Sequence, residues 1–298
     1  MGLQNTLQVI WNHPLNAGGR LAALSRFMRW QVGSRLVNGP VAVNFVDGTR
    51  LLIATGMHGA TMSIYTGLQE FEDMAFALHF LKENDLFVDI GANVGTYTIL
   101  ASGAVGAESI SIEPIPLTYR RLLDNVYLNN ITGKVKALNI ALGQEVGELS
   151  FTASLDTVNH VATKLDVKTD VIHVPVNTLD NVLQGHSPAL IKIDVEGYET
   201  LVLAGGKDVL AQDSLFGVIM ELNGSGARYG YSEETLHKTM LEYGFSTFAY
   251  SPLERRLIPL EGKNCQSGNT LYLRHIDAVM VRIQGAKQFV IHQPGMNI

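Results

Sequence analysis

Asp89, Gly91, Asn93 and Gly95 fall together in the stretch Phe87-Val88-Asp89-Ile90-Gly91-Ala92-Asn93-Val94-Gly95-Thr96. The apolar start reads as a strand and the part after Gly95 as a helix. In open α/β sheets, ligands bind outside the carboxyl ends of the strands. Two glycines at such a turn let the backbone bend tightly and approach a ligand closely. Asp89 stands where a carboxylate can face a ligand's amine. A dinucleotide fingerprint needs G-x-G-x-x-G. Here Asn93 replaces the middle glycine and Thr96 stands in place of the third. The G-x-x-x-x-G-K-[ST] of a phosphate loop is also missing from the stretch.

Ile112-Glu113-Pro114 closes the next apolar run. Glu113 follows Gly91 by about 20 residues, the distance at which an acid hydrogen-bonds ribose hydroxyls. Two hydroxyls need two acceptors, and one carboxylate supplies them. Pro114 fixes the backbone where the chain leaves the strand.

Lys192, Asp194 and Glu196 alternate along a later apolar run and its exit, so they point to one side. A lysine and an aspartate in such a strand are costly unless paired or functional. Two readings stay open for Lys192: a structural pair with a carboxylate, or a group at the site. Asp194, at the carboxyl end, is the first candidate for a general base or a substrate-orienting group. Glu221 ends the following strand in Met220-Glu221-Leu222-Asn223. If the two strands are neighbours, the carboxylates share one site, and one pKa rises toward neutrality as a base requires. A divalent metal is the minority alternative, because neither motif has a complete ligand spacing. His160, in Val158-Asn159-His160-Val161, is a further candidate base with the right ordinary pKa; the alternative is an exposed loop histidine. His173 and His79 read as structural. Glu70 and Glu72 read as solvated helix charges or as contacts to a donor's amino-acid end.

These groups need elements to position them. Leu21, Leu24, Met28, Val32 and Leu36 repeat at helical spacing, which predicts an amphipathic helix over 18–36. Runs 41–46 and 50–54 flank Asp47-Gly48 and predict a β-hairpin. A helix is predicted over 68–82. From there apolar runs at 86–90, 109–112, 135–142, 189–194 and 215–222 alternate with helical segments, the pattern of a parallel sheet covered on both faces. Runs at 245–250 and 270–273 predict a hairpin at one sheet edge. Residues 144–177 break the alternation and read as a hairpin with a long polar tip, or a flap over the strand ends.

Composition narrows the function classes. The 298 residues are 46% apolar and 17% charged, enough for a buried core and unlike a disordered chain. The net charge is −6, a poor prior for a protein built to hold nucleic-acid backbone. The charge is uneven. Residues 1–50 carry Arg20, Arg26, Arg29, Arg35 and Arg50 against Asp47 alone, and they hold both tryptophans, Trp11 and Trp30. A single cysteine, Cys265, fits a reducing compartment. The uncharged run 90–107 is too poor in hydropathy to predict a membrane span.

D-x-G-x-N-x-G is a variant of the first motif of S-adenosylmethionine-dependent methyltransferases. The chain resembles the FkbM family of such enzymes. The residues that carry the resemblance are Val88–Gly95, Ile112-Glu113-Pro114, Ala141-Leu142-Gly143, Thr178-Leu179-Asp180 and Ile191-Lys192-Ile193-Asp194-Val195-Glu196-Gly197-Tyr198-Glu199, in family order over about residues 70–250. The resemblance implies a class I methyltransferase fold: a Rossmann-like α/β three-layer sandwich with a mostly parallel seven-stranded sheet. It implies S-adenosylmethionine as donor and O-methylation of a sugar, glycan precursor or other small metabolite. Asp89, Gly91, Ala92, Asn93 and Gly95 are then expected to line the donor's amino-acid and ribose part. Glu113 and Pro114 would meet the ribose and Ala141 the adenine. Asp194, Glu221 and His160 would face the acceptor.

Residues 1–66 are expected to form a basic helix and hairpin extension, and 67–298 the methyltransferase domain with its flap. The arginine-rich helix has three readings: packing on the domain, a partner or homo-oligomer surface, or contact with an anionic membrane from the cytoplasmic side. Three rival functions stay open. A nucleic-acid methyltransferase is disfavoured by Asp194-Val195-Glu196-Gly197, where an Asn/Asp-Pro-Pro-aromatic element would stand. A nicotinamide-dependent oxidoreductase is disfavoured by the missing glycine. The third is a non-catalytic binding module.

Overall fold

The computed structural model of the chain describes residues 2–152, 160–162 and 171–298. Helices α1 (Leu3–Asn12) and α2 (Arg20–Leu36) precede the hairpin β1 (Val41–Asn44) and β2 (Arg50–Ile53). Asp47 and Gly48 both take positive φ at its tip, the backbone that a two-residue hairpin turn needs. Helices α3 (His58–Thr66) and α4 (Phe71–Phe80) follow. The alternating part then runs β3 (Leu86–Ile90), α5 (Thr96–Thr98) continued by a π-helix over Ile99–Val105, β4 (Glu108–Ile112), α6 (Pro116–Leu128) and β5 (Val135–Leu138). Next come β6 (Ala141–Leu142), β7 (Gly147–Thr152) and β8 (Val171–Asn177). The rest is α7 (Leu179–Val182), β9 (Leu190–Ile193), α8 (Glu199–Ala204), α9 (Lys207–Leu210), β10 (Gly217–Glu221), α10 (Glu233–Glu242), β11 (Ser246–Ser251), β12 (Arg256–Pro259), β13 (Asn269–Leu273), α11 (Ile276–Gln284), β14 (Val290–Ile291) and β15 (Met296–Asn297).

The main sheet has the order β12-β11-β13-β10-β9-β3-β4-β5. From β10 to β5 all pairings are parallel; β13 is antiparallel to both β10 and β11, and β12 is antiparallel to β11. This is an α/β Rossmann-like fold. It corrects the seven-stranded, mostly parallel expectation: the sheet has eight strands and is mixed. The extra strand, β12, is a four-residue edge strand with an exposed arginine at one end and proline at the other, a composition that hides edges from pattern reading. The late strands β11 and β13 do pair with each other, but β13 sits inside the sheet between β10 and β11.

Alternation along the strands feeds two cores. Phe87, Leu190, Ile219 and Leu271 pack with α4, whose Phe76, Ala77, Leu78 and Phe80 are all buried. Val88, Ile191, Val218 and Tyr272 pack on the opposite face with Leu203, Leu236 and Met240. Each fully buried large apolar side chain contributes about 1.5–3 kcal/mol. The chain runs outward from β3 to β4 and β5, then returns to β9 on the other side of β3. The switch point at the ends of β3 and β9 is where such sheets hold ligands.

Other expectations are corrected. The run 135–142 is two strands, β5 in the main sheet and β6 in a separate sheet of order β6-β8-β7. The flap does contain a hairpin, β7 with β8, but 153–159 and 163–170 of its tip lie outside the described residues. The helix predicted over 18–36 is present as α2, and of its stripe only Leu24 packs inward, half-buried against the cluster of Ile10, Phe27 and Tyr65. Leu21, Met28, Val32 and Leu36 are exposed, and α2 buries Ala23, Arg26 and Phe27 instead. Arg26 can be buried because its Nη2 donates to Asn16 Oδ1 at 2.7 Å and to the Tyr65 carbonyl at 2.8 Å. No helix among the described residues is long and apolar enough to cross a membrane.

The hairpin is stitched to the main sheet's helices. Asn125 of α6 accepts from the Leu52 N–H at 2.7 Å and donates to the Val94 carbonyl at 2.8 Å. One side chain thus links β2 to the loop after β3.

Candidate active site

The loop after β3 is held by its own backbone. The N–H groups of Gly91 and Ala92 both donate to the Ile112 carbonyl at 3.0 Å. Gly91 has φ +77°, and a Cβ there would overlap the Asp194 carbonyl oxygen. Asn93 also takes a positive φ, and its N–H donates to Glu113 Oε2 at 2.9 Å. The Ile115 N–H donates to Glu113 Oε1 at 2.9 Å. Glu113 is buried, and burial pushes its pKa up to about 7 although these two donors pull it down. Asp89 is buried too; burial raises its pKa to about 6 against the bonds from Thr98. Its Oδ2 accepts from the Thr98 N–H at 3.1 Å and from the Thr98 hydroxyl at 2.6 Å, which pins α5 to β3.

A cavity of about 950 Å³ lies at these strand ends. Asp89, Gly91, Ala92, Asn93, Glu113, Pro114 and Ala141 all line it, as do Asp194 and Glu221. Gly95 is not on the wall. Its φ is +87°, and a Cβ there would meet Leu122 of α6, so this glycine serves helix packing. His160 is also not on the wall formed by the described residues. It is buried beside β7, where its carbonyl accepts from the Thr152 N–H at 3.0 Å.

The acids at the far end form a connected group. Lys192, 2% exposed, donates from Nζ to Asp194 Oδ2 at 3.0 Å and to Asn269 Oδ1 at 3.3 Å. Burial works against the ammonium, but Asp194, Glu70 and Glu221 outweigh it and hold its pKa above the ordinary value. Both readings of Lys192 therefore meet in one residue, a buried pair at the wall of the cavity. Burial, and then the charge of Asp194, raises the pKa of Glu221 well above that of an ordinary glutamate. Glu196 is raised to about 7, by burial first and then by Asp194. The turn carrying these acids needs Glu196 and Gly197 at positive φ. It is tied by Glu199 Oε1, which accepts from the Val195 and Gly197 N–H groups at 3.3 and 3.1 Å. Oxygens of Asp194, Glu196 and Glu221 lie within 4.8 Å of one another, a spacing that suits a divalent ion. The Lys192 ammonium, however, already neutralises Asp194 Oδ2.

Several site residues escaped the sequence reading. Asn269 donates to Glu70 Oε2 at 2.8 Å and to Asp73 Oδ2 at 3.1 Å, and the Tyr97 hydroxyl donates to Glu70 Oε2 at 2.7 Å. Glu70 lines the cavity, so it is not a solvated helix charge. Asp73 is buried, and burial and then Glu70 raise its pKa to about 7. Asp73 stands beside Glu72 in the first turn of α4, so no local pattern marked it for burial. The extension supplies the other wall. Phe27, Trp30, Gln31 and Ser34 of α2, and Tyr65 of α3, all line the cavity. They lie off the apolar stripe of Leu21 and Val32 that marked the helix, so no spacing pointed to them.

Comparison with known proteins agrees with this geometry. The methyltransferase FkbM domain matches residues 89–247. The hexuronic acid methyltransferase AglP of Haloferax volcanii is 30% identical over 144 residues, covering 48% of this chain and 57% of AglP. The methyltransferase sdnD of Sordaria araneosa is 25% identical, covering 45% of this chain and 65% of sdnD. The chain thus spans less than two thirds of either relative. Among solved structures, an S-adenosylmethionine-dependent methyltransferase of Agrobacterium tumefaciens is similar with a TM-score of 0.42 at 9% identity, covering 79% of this chain and 69% of that one. The strand-end motifs, their order along the chain and the matched domain agree: the chain belongs to the FkbM-domain methyltransferase family.

Proposed function

We propose that the protein is an S-adenosylmethionine-dependent O-methyltransferase acting on a hydroxyl of a sugar, glycan precursor or similar metabolite. The observation that carries the reading is one cavity lined by Glu113 at one end and by Asp194 and Glu221 at the other. Glu113 accepts the two ribose hydroxyls of the donor, and Gly91 and Ala92 let its amino-acid part lie against the backbone. The bound donor supplies an electrophilic methyl on a cationic sulfur. Transfer of that methyl to an acceptor hydroxyl would leave the donor as a neutral thioether and free the hydroxyl proton. The hydroxyl proton passes to a carboxylate. Asp194, fixed by Lys192, orients the hydroxyl, and Glu221, whose pKa burial raises, takes the proton in its ionised form. Holding the groups in place supplies much of the acceleration.

The sugar class is supported by the opposite wall. Trp30, half-buried over the packed pair Phe27 and Tyr65, offers a flat apolar face, and Gln31 and Ser34 offer hydrogen bonds. That mixture suits a ring with one apolar face and hydroxyls at its edge. The relative named as a hexuronic acid methyltransferase points the same way. The test is incubation with methyl-labelled donor and a panel of neutral sugars, sugar acids and nucleic acids, read by mass spectrometry. Label on a sugar oxygen supports the proposal. Label on a nucleic-acid base alone, or on nothing in the panel beside intact donor binding, contradicts it.

A further inference from the structure

We infer that the outward face of α2 docks on an anionic membrane surface. Four of the five residues of the α2 stripe face away from the domain: Leu21, Met28, Val32 and Leu36 are 77%, 58%, 57% and 79% exposed. At about 100° per residue they form one line down the helix, opposite the buried Ala23 and Phe27. The same periodicity sets Arg29 on one flank of the line and Arg35 on the other, where Arg35 also borders the cavity and donates to Gln31. Both are exposed, and neither has a carboxylate partner among the described residues. An apolar stripe between cations is the pattern of a helix lying in a lipid interface.

Charge decides the occupant. Residues 1–46 contain no Asp or Glu, while the whole chain is −6. A second copy docked on this face would set arginines against arginines, with no acid to pair them. An anionic lipid surface complements them, at roughly 1 kcal/mol, or about fivefold in binding, for each basic residue near the headgroups. Leu3 and Val9 of α1, both exposed, line the rim of the cavity. The docked surface and the cavity therefore share the two N-terminal helices.

The experiment mixes the intact protein at low salt with vesicles of phosphatidylcholine and phosphatidylglycerol. Binding is read by sedimentation and by tryptophan emission. The chain's two tryptophans both lie on α1 and α2, and Trp11 is 41% exposed, so emission reports this region directly. The expected result is sedimentation with a blue shift, lost with pure phosphatidylcholine and at high salt. Arg29→Glu weakens binding about 30-fold by changing two charge units, and Val32→Ser about tenfold by removing an inserted apolar group. Both side chains are exposed, so circular dichroism stays unchanged. The inference is overturned if the intact protein stays in the supernatant. Variants that bind as the wild type does also overturn it. So does light scattering that reports a dimer which Val32→Ser dissociates, because a second copy then covers the face.

Discussion

Gly91 and Asp194 touch through their backbones. The Asp194 N–H donates to the Ile90 carbonyl at 3.0 Å, and the Asp194 carbonyl oxygen fills the space where a Gly91 side chain would begin. The donor loop after β3 and the acid turn after β9 are therefore one packed unit. Neither can be repositioned without the other, so in the proposed function the donor and acceptor positions are set together.

The first prediction follows from that contact. Gly91→Ala must either move the Asp194 turn or abandon φ +77°, which L side chains rarely adopt. It should lower stability by about 2–4 kcal/mol and abolish donor binding. Gly133→Ala, with open space around its backbone, should stay within about 1 kcal/mol of wild type. Urea unfolding of the two variants is the check; equal effects would contradict the packing argument.

Donor binding should release protons at neutral pH. Glu113 and Glu196 have pKa values raised to about 7, and Glu221 is raised further. A cationic sulfur and donating ribose hydroxyls both favour ionised carboxylates, so their pKa values fall on binding. Calorimetry in two buffers of different ionisation enthalpy reads the released protons. Affinity should rise between pH 6 and pH 8; a flat profile would argue against Glu113 as the ribose acceptor.

Asp194→Asn and Glu221→Gln should separate orientation from proton transfer. Loss of a general base typically lowers kcat by about 10²–10⁴-fold. Glu221→Gln should show that loss and flatten the rise of kcat with pH, while donor affinity changes less. Asp194→Asn should lower kcat and also raise the acceptor KM, because Lys192 loses its partner on the wall. If the Gln variant keeps the wild-type pH profile, Glu221 is not the base.

Asp73 carries a stability consequence. Its folded pKa of about 7 lies above the unfolded value, so between pH 4 and 7 the folded state binds more protons. Stability therefore falls as pH rises through that window. Asp73→Asn keeps an acceptor for Asn269 and removes the buried charge. It should be more stable than wild type at pH 8 by roughly 1–3 kcal/mol, with a smaller gain at pH 5. Urea midpoints at the two pH values give the comparison, and equal gains would remove the explanation.

Much of the site was legible because its chemistry needs rare residues in dense motifs. Gly91, Asn93, Glu113, Asp194 and Glu221 stand at the ends of four strands that are neighbours in the sheet, and all line the cavity. Periodicity failed where a helix has two apolar faces. α2 shows apolar residues both on the line of Leu21 and on the line of Phe27, and only packing against Ile10 and Tyr65 decides which face is buried. The roles of Asn269 and Asp73 were invisible for another reason. They meet across the fold, from β13 and α4, and no local spacing records that contact.

The most direct measurement is a calorimetric titration of the intact protein with S-adenosylmethionine, repeated on Glu113→Gln. Saturable binding is expected for the wild type, weakened about 10–100-fold in the variant, because a neutral amide accepts the ribose hydroxyls less strongly than a carboxylate. No binding by the wild type, or equal binding by both proteins, would contradict it.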